Sequence, residues 1–171
     1  GAVNTASAVW PNSSYGPAAD ERIKPDVASV GWGARIQNTG GGLSAGNGTS
    51  YACPNMAGLA TCLWQAFPEF KNIKIIETLR LSSSKYNTPD DRVGYGIPDM
   101  KQAFGRLLVE YATASQQVTN CVATISWNTK DIGAMRYEIE RQLPNTFNYI
   151  TVGSMVAAAR DSLSKKNYHF T

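Results

Sequence analysis

The sequence predicts an α/β domain over residues 1–112 and a β-rich module over residues 113–171. Three observations carry this. Residues 1 to about 48 are rich in Gly, Ser, Asn and Pro and hold only short β-like runs. Residues 50 to about 112 place apolar side chains at three- and four-residue spacing, the helical period. After about Ala114 the period drops to two, as in strands with one buried face.

In order along the chain, Ala2 to Ala8, Ile23 to Val30 and Ala34 to Gln37 read as strands joined by long loops. The Gly-rich stretch from Gly40 to Gly48 reads as a loop. Ser50 to Phe67 reads as the first helix, with Met56, Leu59, Ala60, Leu63 and Trp64 on its apolar face. A second helix is expected to start at Asn72 as N-cap and run through Ile73, Ile76 and Leu79. A third carries one stripe of Met100, Ala103, Phe104, Leu107, Leu108 and Tyr111, with Asp99 as its cap. Four strands are expected in the tail: Cys121 to Trp127, Tyr137 to Glu140, Tyr149 to Val156 and Tyr168 to Phe170. A β-sandwich of the immunoglobulin or fibronectin kind takes roughly 100 residues and seven strands, so this module reads as truncated.

Composition narrows the function classes. Of the 171 residues, 43% are hydrophobic and 17% charged, enough apolar matter for a sizeable core. No apolar run approaches the roughly 20 residues of a membrane span. The net charge is +3 from 16 basic and 13 acidic residues, interspersed without a basic block, which disfavours nucleic acid as a partner. Cys53 and Cys62, nine residues apart on one helix, lie about 13 Å from each other, too far to bridge. No CxxC pair suggests zinc. All three cysteines are expected to be small buried apolar groups. The opening Gly1-Ala2-Val3-Asn4 has no visible targeting signal and reads as an interior point of a longer chain.

The chemistry concentrates in Gly48-Thr49-Ser50-Tyr51-Ala52-Cys53-Pro54-Asn55-Met56-Ala57-Gly58. A glycine-rich segment delivers Ser50 to the start of an apolar helix. A helix N-terminus offers unpaired N–H groups and about half a positive charge. Such groups stabilise an oxyanion formed beside a serine during acyl transfer. The bland alternative is that the serine only caps the helix.

This stretch resembles the serine motif of the subtilases, the subtilisin-like serine proteases, written Gly-Thr-Ser-x-(Ala/Ser)-x-Pro-x-x-Ala-Gly. Ser13-Ser14-Tyr15-Gly16-Pro17, Arg22 to Ala28 and Gly94-Tyr95-Gly96 are similar to further segments of that family, in its order and spacing. The resemblance spans roughly residues 1 to 112. It implies the C-terminal part of a parallel-sheet α/β catalytic domain. It implies Ser50 as the nucleophile of a serine endopeptidase, its backbone N–H as an oxyanion donor, and Thr49 as oxyanion support. Two positions depart from the family pattern: Ser29-Val30-Gly31 where Ala-Pro-Gly is common, and Cys53 where Ser or Thr usually precedes the proline. The tail resembles a fibronectin type III-like module of secreted bacterial enzymes and surface proteins.

The resemblance further implies that the triad Asp and His and the oxyanion Asn lie upstream of Gly1, on the same polypeptide. The one histidine, His169, sits in the tail and reads as an exposed or strand-end residue; Asn47 reads as a turn-shaping residue. No cofactor is expected. Structural calcium is common in the family, but no site for it is identified in this sequence. The expected setting is secreted or on a bacterial cell surface, with a protein or peptide substrate. The 171 residues alone are expected to be inactive and to fold poorly. The competing reading is a non-catalytic peptide- or surface-binding protein on the same scaffold.

Overall fold

A computed structural model describes residues 1–160 and 162–171. Two compact units are present, Gly1–Leu107 and Leu108–Thr171.

The first unit opens with β1 (Ala2–Val3), which pairs in parallel with β2 (Ser29–Val30) in a two-stranded sheet. The strand expected from Ala2 to Ala8 stops after two residues. Asn4 ends it, because its Oδ1 accepts the N–H groups of Ala6 and Ala8 and curls the chain into a turn. The expected strand from Ile23 likewise shrinks to β2, and the preceding residues form a polar loop around Asp26. Next come β3 (Ala34–Gln37) and β4 (Leu43–Gly46), an antiparallel hairpin. The stretch Gly40 to Gly48, expected as a loop, is therefore half strand. Asn38 explains the turn: its Oδ1 accepts from Gly40 and Gly42 and closes the chain on itself.

Three helices follow: α1 (Thr49–Ala66), α2 (Asn72–Leu81) and α3 (Met100–Tyr111). In α1 the buried residues are Ala52, Leu63 and Ala66, with Met56 half-buried on the same stripe. Leu59 and Trp64, expected on a covered face, remain exposed. Cys53 and Cys62 are exposed too, against expectation. At about 100° per residue they fall on the two flanks of the buried stripe. Asn72 is the first residue of α2 and not its cap; extended Lys71 holds that position, and its carbonyl accepts the Lys74 and Ile75 N–H groups. Asp99 does cap α3, accepting the Gln102 N–H at 3.0 Å, and this bond holds its carboxyl below the ordinary value. Phe67, Ala103 and Leu107 are fully buried, and the Phe67 ring lies 5.0 Å from that of Phe104.

The motif segments contact one another. The Ser13 hydroxyl accepts the Ala2 N–H. Tyr95 donates its N–H to Asp26, and Ala28 donates to Gly96, so residues 94–96 lie against residues 25–28. Gly94 has φ of 63°, and a Cβ there would stand 1.7 Å from the Pro25 carbonyl oxygen. The Asp26 carboxylate takes donors from Lys24 and Arg80. Burial alone would raise that carboxyl; the two cations outweigh burial and lower it.

The second unit holds five strands among the described residues, one more than expected. They are β5 (Thr113–Thr119), β6 (Val122–Asp131), β7 (Arg136–Gln142), β8 (Tyr149–Val156) and β9 (Ser162–Phe170). β5-β6-β9 form one antiparallel sheet and β7-β8 another. β5 escapes the alternation test because all seven of its residues are exposed. Cys121 is not in a strand. With Asn120 it forms the tip of the β5–β6 hairpin, both at positive φ, the conformation of a tight two-residue turn.

Trp127, Tyr137 and Tyr168 bring the two sheets together, with ring centroids 5.0–5.7 Å apart. Beneath them lies Asp131, fully buried. It accepts the Tyr137 hydroxyl at 2.8 Å, the Tyr168 hydroxyl at 2.5 Å and the Ala159 N–H at 2.9 Å. Burial pushes this carboxyl up, but the three donors outweigh it and hold it below its ordinary value. Burial and the Asp131 contact together push the Tyr137 hydroxyl upward. A carboxyl lowered by folding contributes stability above its unfolded value, roughly pH 4, and loses it as pH falls through its folded value. Asp131→Asn should therefore be less stable than the parent at pH 7 in urea titrations. The gap should narrow as the pH drops below about 4. A gap independent of pH would contradict an ionised Asp131 in the fold.

Candidate active site

Ser50 is the second residue of α1 and is exposed. The N-cap is Gly48, which has no side chain to bond the helix. Among the described residues nothing hydrogen-bonds the Ser50 hydroxyl, so the capping reading of this serine fails. The Gly48 carbonyl accepts the Tyr51 and Ala52 N–H groups at 3.1 and 3.4 Å. That leaves the N–H groups of Thr49 and Ser50 open at the positive end of the helix. Ser50 thus presents a hydroxyl and a backbone donor side by side. Thr49 precedes it and is half-buried.

Local sequence explains this placement. Gly48 adopts φ of 156°, and a Cβ there would stand 3.1 Å from Ser50 Oγ. Gly46 leaves room for the Tyr51 ring, which a Cβ would meet at 2.8 Å. Pro54 is the sixth residue of the helix, past its first turn, so α1 lacks the bond that an N–H there would make to the Ser50 carbonyl four residues back. A close fit to the segment after β2 fixes the turn from behind. Gly48 donates to the Gly31 carbonyl at 2.7 Å, and the Asn47 Oδ1 accepts the Gly33 N–H at 2.8 Å. Asn47 therefore shapes the turn.

A groove of about 670 Å³ opens beside Ser50. Cys53, Met56 and Ala60 of α1 and Ile76, Leu79 and Arg80 of α2 line it. Its walls are chiefly apolar side chains, with Asp26 and Arg80 at the polar end. No cluster of three or more His, Cys, Asp or Glu residues suited to a metal ion occurs among the described residues. Among the same residues no helix is long and apolar enough to cross a membrane. His169 is exposed on β9, opposite Ser126 on β6, in the second unit.

The glycine-built turn sets an exposed serine hydroxyl beside open N–H groups at a helix N-terminus, an arrangement compatible with acyl transfer. Residues 1–96 match the family model of peptidase S8, the subtilase family. That is more than half of the chain, and the chain belongs to the subtilase family. It is thereby of the serine peptidase kind.

The motif singles out Ser50 and Thr49, and the structure places them side by side as the first two residues of α1. Sequence reasoning misses the groove and the anchoring of the turn, because both are built from residues distant in sequence. Two glycines offer a contrast that checks the geometry. Gly48→Ala should destabilise the chain by about 1–2 kcal/mol, since it adds a Cβ at positive φ against Ser50 Oγ. Gly58 sits inside α1, and an added methyl would meet nothing within 4 Å. Gly58→Ala should therefore stabilise by up to about 1 kcal/mol. Urea unfolding of both variants measures this. Equal effects would contradict the strained turn at Gly48.

Proposed function

We propose that this chain carries the nucleophile of a subtilisin-like serine endopeptidase, with Ser50 in that role. The observation that supports it most is the uncapped, exposed hydroxyl of Ser50 at the N-terminus of α1. Ser50 Oγ attacks the scissile carbonyl while its proton passes to a histidine base. The carbonyl oxygen gains negative charge and is met by the Ser50 N–H, with Thr49 supporting that side. Collapse expels the amine, which takes the proton from the imidazolium. The acyl-serine then reacts with water by the same route in reverse order.

The base, the aspartate that orients it and the second oxyanion donor are assigned to the same polypeptide outside residues 1–171. His169 has no part in this scheme. No cofactor is involved, and the substrate is a protein or peptide. The second unit, with its two small antiparallel sheets, is read as a fibronectin type III-like module that positions the enzyme or holds a surface. A secreted or cell-surface setting in a bacterium fits both units. Residues 1–171 by themselves should not hydrolyse peptides, because a serine without a base is a weak nucleophile.

The test is steady-state hydrolysis of a peptide substrate by the full polypeptide. Ser50→Ala should lower kcat by several orders of magnitude, as is established for subtilisin itself. Near-normal turnover would overturn the assignment and favour a binding role for the scaffold.

A further inference from the structure

The turn that bears Ser50 is fastened on both sides to one short segment, residues 29–33. Before the serine, Gly48 and Asn47 bond to Gly31 and Gly33. After it, two side-chain bonds join the first turns of α1 to β2. The Ser29 hydroxyl donates to the Ala52 carbonyl at 3.0 Å, in a buried setting. The Asn55 Nδ2 donates to the Val30 carbonyl at 2.8 Å, across 25 residues of sequence. Both bonds run between adjacent β2 residues and the helix, in opposite directions.

Resting on the reading of Ser50 as nucleophile, we propose that Asn55, together with Ser29, is a positioning residue for that reaction. Asn55 is exposed and lies five residues beyond Ser50, on the helical turn that follows it. Its amide fixes how far the N-terminus of α1 stands from β2. The Ser50 hydroxyl and N–H move with that end of the helix. Rigid placement matters because a shift of about 1 Å in a reacting group can cost on the order of 100-fold in rate. Loss of an exposed side-chain bond costs little stability. A positioning role and a merely structural one therefore predict different measurements.

The experiment uses the full polypeptide, with kcat, KM and the urea midpoint measured for Asn55→Ala, Asn55→Asp and Asn55→Gln. Alanine removes the donor. Aspartate keeps the shape but, when ionised, sets a negative charge against the Val30 carbonyl. Glutamine keeps the amide donor on a longer stem. The first two should lower kcat about 10-fold or more with KM within about twofold, the signature of a reacting group displaced after binding. Glutamine should recover a substantial part of kcat, and the urea midpoints should change little. Ser29→Ala combined with Asn55→Ala should lower kcat further than either alone. Wild-type kcat in Asn55→Ala, with Ser50→Ala inactive, would overturn the positioning role and leave the nucleophile assignment intact. Undiminished hydrolysis in Ser50→Ala would overturn both. A fall in kcat that merely tracks a fall in the urea midpoint would make Asn55 structural and refute the proposal.

Discussion

The close approach of two backbone segments at Gly31 and Gly48 is the constraint on which the first unit depends. A Cβ at Gly31 would stand 2.5 Å from the Gly48 carbonyl oxygen and 2.9 Å from the Ala52 Cβ. Only glycine lets the chain after β2 lie this near the start of α1. That contact permits the Gly48 to Gly31 hydrogen bond and sets the φ of Gly48. It leaves Ser50 as the second helical residue with its hydroxyl unused. Sequence, packing and chemistry meet here, because the small residues that allow the approach also keep Ser50 uncapped.

Around this contact the first unit is held chiefly by loop-to-loop bonds. Regular sheet is sparse: β1 and β2 form its one parallel pair among the described residues. Residues 94–96 grip residues 25–28, and Asp26 gathers Lys24 and Arg80. Arg80 also stands over the Tyr95 ring at 5.8 Å. These residues make no acyl-transfer chemistry. They place β2, and β2 places the serine turn. Motif residues far from Ser50 in sequence thus have a structural reason to be where they are. The second unit is organised differently, around the buried Asp131 and its two tyrosine hydroxyls. A carboxylate satisfied by three donors fixes the pairing of its neighbours in a way that apolar packing alone would not.

Much of this is legible in the sequence. α3 can be read with its cap because Asp99 and a clean apolar stripe point to the same boundary. The periodicity places α1 to within one residue at each end, and the motif singles out Ser50 and Thr49 as its candidates at the helix start. Other elements are hidden for identifiable reasons. β4 lies inside a glycine-rich stretch whose turn is closed by Asn38, and β5 carries no alternation because neither face is covered. The cysteines defy expectation because residue type favours burial, while the angular position of Cys53 and Cys62 on α1 and the hairpin tip at Cys121 decide exposure. The bonds made by Ser29 and Asn55 span 23 and 25 residues, and no local pattern announces contacts of that range.

The central claim is that Ser50 is an activated nucleophile and not a surface hydroxyl. Covalent labelling tests it most directly. The full polypeptide is treated with a fluorophosphonate and digested, and the adduct is mapped by mass spectrometry. The account predicts one adduct per chain, on the peptide that contains Ser50, absent after denaturation. An adduct elsewhere, or none on a folded polypeptide that carries both a histidine base and its aspartate, would contradict it.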